Sequence, residues 1–358
     1  PDEDRFTTPE GSGLPPVAVS ELHVGPSGTV WAGCRDGSVW RRSAGASGVF
    51  EPVVEGLSEQ VSCIVETSSG EVWVTSLGSG SLVIRQSGRA RRVSRDEGLP
   101  SDTVWEVLED REHNLWICHN AGISRLRYDY GAFVHFSGVS SGGERPLLPE
   151  RTAFAVVAPE AAKGDPLMWV ATGGGVAAIG PEGRRAATIT SAEGLSSNSV
   201  YALARDPQGR VWMGTLHGLD VLASDGAELP PALGDGIVRT VDLDGRTARM
   251  RGYDLDTVYD IRVLELDAGG GAGPVPAVWV SGTGGVACFC EGRWYRLGSE
   301  AGLPLAGASV VALDRSGRLW VGSRDSGVLR SVPSDGLACY ATLGLRTHLH
   351  NVVRSPAR

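Results

Sequence analysis

Two histidines and a set of carboxylates stand at corresponding turns of this chain. That combination can hold a divalent metal, or trade protons near neutral pH. His119 closes an apolar run at residues 115–118, and His217 lies two places beyond the run Val211–Thr215. At related turns stand Asp36, Asp102, Asn120, Asn198 and Asp256, with Arg35, Arg151 and the pair Arg324-Asp325. His119 and His217 are the candidate catalytic residues and also the candidate metal ligands. Arg35 and Arg324 present planar forks suited to an anionic group, although Asp36 and Asp325 beside them are alternative partners. For each residue taken singly, the competing reading is a solvated loop side chain on a polar rim. Cys34, Glu150, Thr215, Asp254 and Thr283 share the same turns.

Other candidates carry less. His348 and His350 near the C-terminus could form a metal pair, against a solvated tail or strand edge. Cys288 and Cys290 fall on one face of a strand, where packing is the better reading. His23 at the end of an inner strand and His113 in a hairpin read as structural, and His135 as an exposed outer-strand residue. No His-Glu-x-x-His or phosphate-binding loop of the Walker type occurs.

The elements that must place these residues show in the tryptophans. Trp31, Trp73, Trp116, Trp169, Trp212, Trp279 and Trp320 share one setting, an apolar residue, Trp, then a short small or apolar stretch. Four of the six spacings, 42, 43, 53, 43, 67 and 41, lie near the length of a four-stranded propeller blade. The longer gaps hold Gly-, Ala- and Pro-rich stretches at 160–166 and 268–276, expected to be added loops.

The fifth copy gives the unit. Gly194-Leu195-Ser196-Ser197-Asn198 is turn chemistry entering a strand. Val200 to Arg205 is a short inner strand, Asp206 to Gly209 a tight connection, and Val211 to Thr215 a second strand whose Trp wedges between blades. Gly218 opens a third strand, and a more polar outer one follows. The expected fold is therefore all-β: a single seven-bladed β-propeller, residues 1–358, of four-stranded antiparallel blades. The repeats run at about 13–54, 55–96, 97–146, 147–192, 193–250, 251–300 and 301–345. Copies four and six lack the leading Gly-Leu in its usual form. Residues 5–8 and 339–342 both resemble an outer strand, and the N-terminal one is expected to help close the ring.

Composition narrows the partners. The 358 residues carry 33 basic and 42 acidic side chains, a formal charge of −9, and Lys163 is the single lysine. This balance argues against nucleic acid, which needs clustered cations. No apolar run reaches the roughly 20 residues of a membrane span. The chain starts at Pro1 without a signal peptide of its own, which leaves room for a removed address. The six cysteines, Cys34, Cys63, Cys118, Cys288, Cys290 and Cys339, show no metal-type or disulfide-ladder spacing and read as buried free thiols.

Residues 194–215, with Gly194-Leu195, Asn198, Val200, Leu203, Asp206, Gly209 and Val211-Trp212-x-Gly214-Thr215, resemble the repeat of two-component regulator propellers. The resemblance extends most strongly to copies three and seven. It implies the extracytoplasmic, periplasmic or extracellular sensor part of a bacterial signalling protein, with a small-molecule or carbohydrate ligand and a signalling protein as partner. The leading expectation is a ligand-binding sensor or recognition propeller. Its funnel would be lined by Arg35, Asp36, Asp102, His119, Asn120, Arg151, Asn198, His217, Asp256, Arg324 and Asp325. One alternative is a metal-assisted lyase or hydrolase resembling virginiamycin B lyase-type propellers, with a divalent metal as cofactor; the catalytic set of that group does not map onto these residues. A second alternative is a protein-interaction platform. Trp40, Trp105 and Trp294 lie outside the Trp repeat and read as blade packing, against an aromatic platform for sugars.

Overall fold

A computed structural model describes residues 6–7, 13–14, 17–43, 49–54, 57–127, 133–136, 146–158, 168–180, 184–224, 228–231, 238–243, 246–253, 255–266, 275–297, 307–314, 317–323 and 327–331. Its strands form seven antiparallel sheets, each a blade of one propeller. From blade one to blade seven, the inner strands are Val19–Val24, Val61–Glu66, Val104–Glu109, Ala153–Val157, Val200–Arg205, Val258–Leu266 and Ala308–Leu313. Each pairs with the strand bearing the repeat Trp.

The ring closes through the N-terminal segment. Phe6–Thr7 pairs with Gly327–Ser331, in register Phe6 to Ser331, and supplies the outer strand of blade seven. The C-terminal candidate at 339–342 lies outside the described residues. One blade departs from the four-stranded expectation. Blade five has five strands, because Val238–Leu243 and Arg246–Tyr253 form a hairpin whose second arm pairs with Gly218–Ser224 and whose first arm becomes an extra edge. The long gap between Trp212 and Trp279 thus holds a hairpin as well as a connection. Val275 and Pro276, expected in a loop, begin the strand Val275–Gly282. Pro276 sits near the start of that strand, where a missing donor costs least.

Seven hydrophobic clusters hold the ring, and each spans the seam between two blades. Trp31 packs with Leu57, Val61 and Ile64 of blade two; Trp320 packs with Val19, Leu22 and Ala32 of blade one across the closure. The other five indoles do likewise. All seven are buried. A sheet this small hides both faces only by such stacking. The leucine of the entry motif belongs to the same seam, Leu99 beside Trp73 and Leu195 beside Trp169. Copies four and six keep it in another guise: Leu148 joins Trp116, and Leu255 joins Trp212.

The connection after the inner strand decides how each indole N–H is satisfied. Asp110, Asp206 and Asp314, six residues before their Trp, accept from Trp116, Trp212 and Trp320 Nε1 at 2.8, 2.8 and 2.9 Å. At the same offset, blades one and two have Gly25 and Thr67, and the buried Nε1 atoms of Trp31 and Trp73 have no partner among the described residues; those of Trp169 and Trp279 have none either. The five described cysteines are buried free thiols. His113 occupies the hairpin glycine position with φ +62°, and His135 is exposed on its outer strand.

Candidate functional site: the central channel

The inner strands build the site through one repeated irregularity. Each carries a bulge between its first and third residue against the Trp strand. A bulge sets two successive residues against one and re-aims side chains. In six blades both the second and third residues therefore line one axial cavity of about 680 Å³.

The second positions split the ring in two. Trp105, Phe154, Tyr201 and Tyr259 form a continuous aromatic arc through blades three to six, with successive ring centroids 4.8, 5.4 and 6.5 Å apart. Ser309, Ser20 and Ser62 occupy the same position in blades seven, one and two. Their hydroxyls donate to Val19, Val61 and Val104 carbonyls of the next blade, at 2.9, 2.6 and 2.6 Å. One half of the channel is an aromatic wall, and the other is backbone lined with short side chains.

The third and fifth positions add a charged tier. Arg262 donates from Nη2 to Glu21 Oε1 at 2.8 Å, and from Nε to Asp260 Oδ1 at 2.9 Å. Glu106 Oε2 accepts the Val156 N–H at 2.8 Å. Burial is the largest single influence on how these groups titrate. It raises the Glu21 carboxyl above the usual carboxylate range, with Arg262 pulling the other way. It pushes Glu106 up to about 7, against the bond from Val156. For Arg262, the flanking Asp260 and Glu21 together outweigh burial and hold the guanidinium protonated. Three carboxyls around one guanidinium cannot all ionise cheaply in a low-dielectric site. Glu21, raised to about 8 despite its contact with Arg262, and Glu106, raised to about 7 with no guanidinium contact among the described residues, are therefore the two groups held toward the protonated form near neutrality. His23, at the fifth position of blade one, also lines the channel and accepts the Glu66 N–H on Nε2 at 3.1 Å; burial, then Arg262, lowers it to about 4.

The turn residues expected to line the funnel have other employment. Asp102 Oδ1 accepts the Arg95 N–H and Asn198 Oδ1 accepts the Ser191 N–H, at 2.8 and 2.7 Å, each tying down the loop that enters its blade. Asp36 Oδ1 caps its own turn through the Ser38 N–H at 3.0 Å. His119 is 0% exposed. Its Nδ1 accepts the Ala121 N–H at 3.1 Å, so the neutral ring carries its proton on Nε2, which faces Ser124 Oγ at 2.7 Å. Thr215 does the same work in blade five, where its hydroxyl accepts the His217 N–H at 3.1 Å. Burial lowers His119 to about 4, with His135 contributing. His119 thus closes a hairpin inside its blade, and His217 is exposed on its own loop. Among the described residues no three His, Cys, Asp or Glu side chains are placed to hold a metal ion.

Two expected residues do meet the channel. Arg35 lines its mouth, and Asn120 Oδ1 accepts the Trp105 indole N–H at 2.7 Å, which orients the first ring of the arc. Trp105 is therefore a wall of the channel, while Trp294 packs against Trp212 and Phe289 within a seam. Trp40 also packs against a seam. Arg151 and Asp256 are exposed at entry loops, with Asp256 at φ +56°. Arg324, Asp325, Asp254, His348 and His350 lie outside the described residues. Glu21, Glu106, Asp260, Arg262 and the tyrosines were not singled out by the turn-based reading.

The family model for the two component regulator propeller matches residues 194–217, the entry loop, inner strand and Trp strand of blade five. Blade five thus carries a stretch similar to that repeat, over 24 of the 358 residues. Among solved structures, this propeller is similar to the extracellular domain of the putative hybrid two component system BT3049 from B. thetaiotaomicron. The TM-score there is 0.68 at 15% identity, over 92% of this chain and 42% of that one. The corresponding domain of BT4673 from the same organism gives 0.59 at 13%, over 91% and 39%. Virginiamycin B lyase from Staphylococcus aureus gives 0.57 at 13%, over 90% and 97%. The chain thus spans about two fifths of each of these two extracellular domains, and at these identities the likeness is one of fold. No curated protein matches the sequence. No helix among the described residues is long and apolar enough to cross a membrane.

Proposed function

We propose that this propeller is a recognition module of the two component regulator type that binds a small molecule in its central channel, as the extracytoplasmic sensing part of a signalling system. The observation that carries this reading is the asymmetry of the lining. Here four aromatic rings face three serines above a clustered Glu21–Arg262–Asp260 ion pair and Glu106. A cavity of about 680 Å³ with an apolar wall and a few convergent polar groups is what small-ligand sites have in common. The similarity to two extracellular domains of hybrid two component systems supports the compartment and the signalling partner.

The test is a thermal-shift and calorimetric screen of small metabolites against the protein and its Tyr201→Ala variant. Binding that the variant loses supports the channel. Binding that Tyr201→Ala leaves intact places the ligand elsewhere and removes this reading.

A further inference from the structure

The channel reading leaves the class of ligand open, and the charge and shape of the lining narrow it. Five carboxyls line the cavity, Glu21, Glu66, Glu106, Glu109 and Asp260, against the guanidiniums of Arg35 and Arg262. Arg262 is already engaged by Glu21 and Asp260 through Nη2 and Nε, and Arg35 is exposed at the mouth. An anionic ligand would meet excess negative charge, with no free cation among the described residues of the tier to receive it. Glu106 differs from the other carboxyls of the tier. Among the described residues its one hydrogen-bond donor is the Val156 N–H, taken on Oε2, so Oε1 remains for a ligand. The aromatic faces beside it carry negative quadrupole density, which attracts cations, and a desolvated site strengthens that attraction.

We propose that the central channel takes an organic ammonium ion, with its cationic nitrogen beside the Glu106 carboxylate and its alkyl groups against Trp105, Phe154, Tyr201 and Tyr259. The proposal rests on the channel reading above and specifies its ligand. A neutral polyol could use the same walls and donate hydroxyls to the carboxyls, but it would not offset their charge.

Proton linkage comes with this geometry. Glu106 faces Glu21, Asp260 and Arg262 across the channel, with the Cys63 and Cys118 thiols on the adjoining strands. Burial raises both thiols, so they stay neutral. Glu106 titrates at about 7. An entering cation favours its ionised form, so the Glu106 proton passes to solvent. Glu21 lines the same cavity, is raised to about 8 and titrates in the same direction, so affinity should fall as pH drops from about 8 through 7.

Calorimetry with tetramethylammonium, choline and benzyltrimethylammonium, at pH 6 and pH 8, tests this. Each titration at pH 6.5 is repeated in two buffers of different ionisation enthalpy. The expected result is that at least one ammonium ion binds and releases a proton. Its affinity should fall at least tenfold in Glu106→Gln and in Tyr201→Ala, provided near-ultraviolet circular dichroism shows both variants folded. The neutral isostere of choline, 3,3-dimethylbutan-1-ol, should bind at least tenfold more weakly than choline. If none of the three ions binds, or if the neutral isostere matches choline, the proposal is overturned. If glucose or succinate binds instead, and Tyr201→Ala abolishes it, the channel reading stands while the ammonium inference falls.

Discussion

Arg262 of blade six reaches across the axis to Glu21 of blade one, 2.8 Å from Nη2 to Oε1, bridging two blades that are not neighbours. The same guanidinium binds Asp260 on its own strand. Removing one partner of a buried pair leaves a charge without compensation, which costs more than the pair contributes. Arg262→Ala strands two carboxyls, and it should lower unfolding free energy by about 2–4 kcal/mol. Arg262→Lys keeps the charge but loses the fork, and should recover part of that. Urea denaturation of both variants checks the order.

The raised carboxyl of Glu106 makes a pH prediction with a definite sign. Its pKa moves from 4.5 up to about 7 in the folded protein. A carboxyl whose folded pKa lies above its unfolded one supports the native state below the unfolded value. That support is lost as pH rises through the folded value. His23 and His119, lowered to about 4, act oppositely below pH 6.5. The clean readout is therefore a difference. The melting temperature of Glu106→Gln minus that of the parent should grow between pH 4.5 and pH 7, then stay flat. A constant difference would contradict the burial of Glu106.

The indole–aspartate contact is a transplantable stability element. Asp206→Ala removes the buried acceptor of the Trp212 Nε1, Gln208 and Arg210 N–H groups. It should cost about 2–4 kcal/mol in chemical denaturation, because buried donors are left unmet. The reverse change is more telling. Thr67→Asp gives blade two the acceptor that Trp73 Nε1 lacks among the described residues and should stabilise by about 0.5–1 kcal/mol.

His119 should behave as a hairpin residue. Because Thr172 and Thr215 accept the corresponding backbone N–H in blades four and five, His119→Thr should be more stable than His119→Ala by about 1 kcal/mol. Neither variant should change ligand affinity, since the ring is fully buried within its blade. Denaturation curves and the same calorimetry test both halves.

The sequence showed the ring because the ring's chemistry is repetitive. The expected Val200 to Arg205 and Val211 to Thr215 are the strands found, since each copy reuses Trp, Gly and turn residues at fixed offsets. Even His119 was legible as the counterpart of Thr215, although its role was not. The extra hairpin at 238–253 was missed because a polar strand such as Val238–Leu243, VRTVDL, looks like loop composition. The channel was missed for a different reason. Function was sought in turns, where Asp102 and Asn198 turn out to brace their own loops. The informative positions vary from blade to blade inside the one strand that looks most uniform. Aligning the seven inner strands by their first residue would have placed Trp105, Phe154, Tyr201 and Tyr259 in one column. Glu21, Cys63, Glu106 and Asp260 would have stood in the next.

The central claim is that the axial cavity, and not the rim of entry loops, receives the ligand. A crystal structure of the protein soaked with the tightest binder of the screen tests it most directly. The account predicts difference density in the cavity, in van der Waals contact with Tyr201 and the Glu106 carboxylate. Density on the rim, against Arg151, Asn198 or Asp256 with an empty axis, would contradict it.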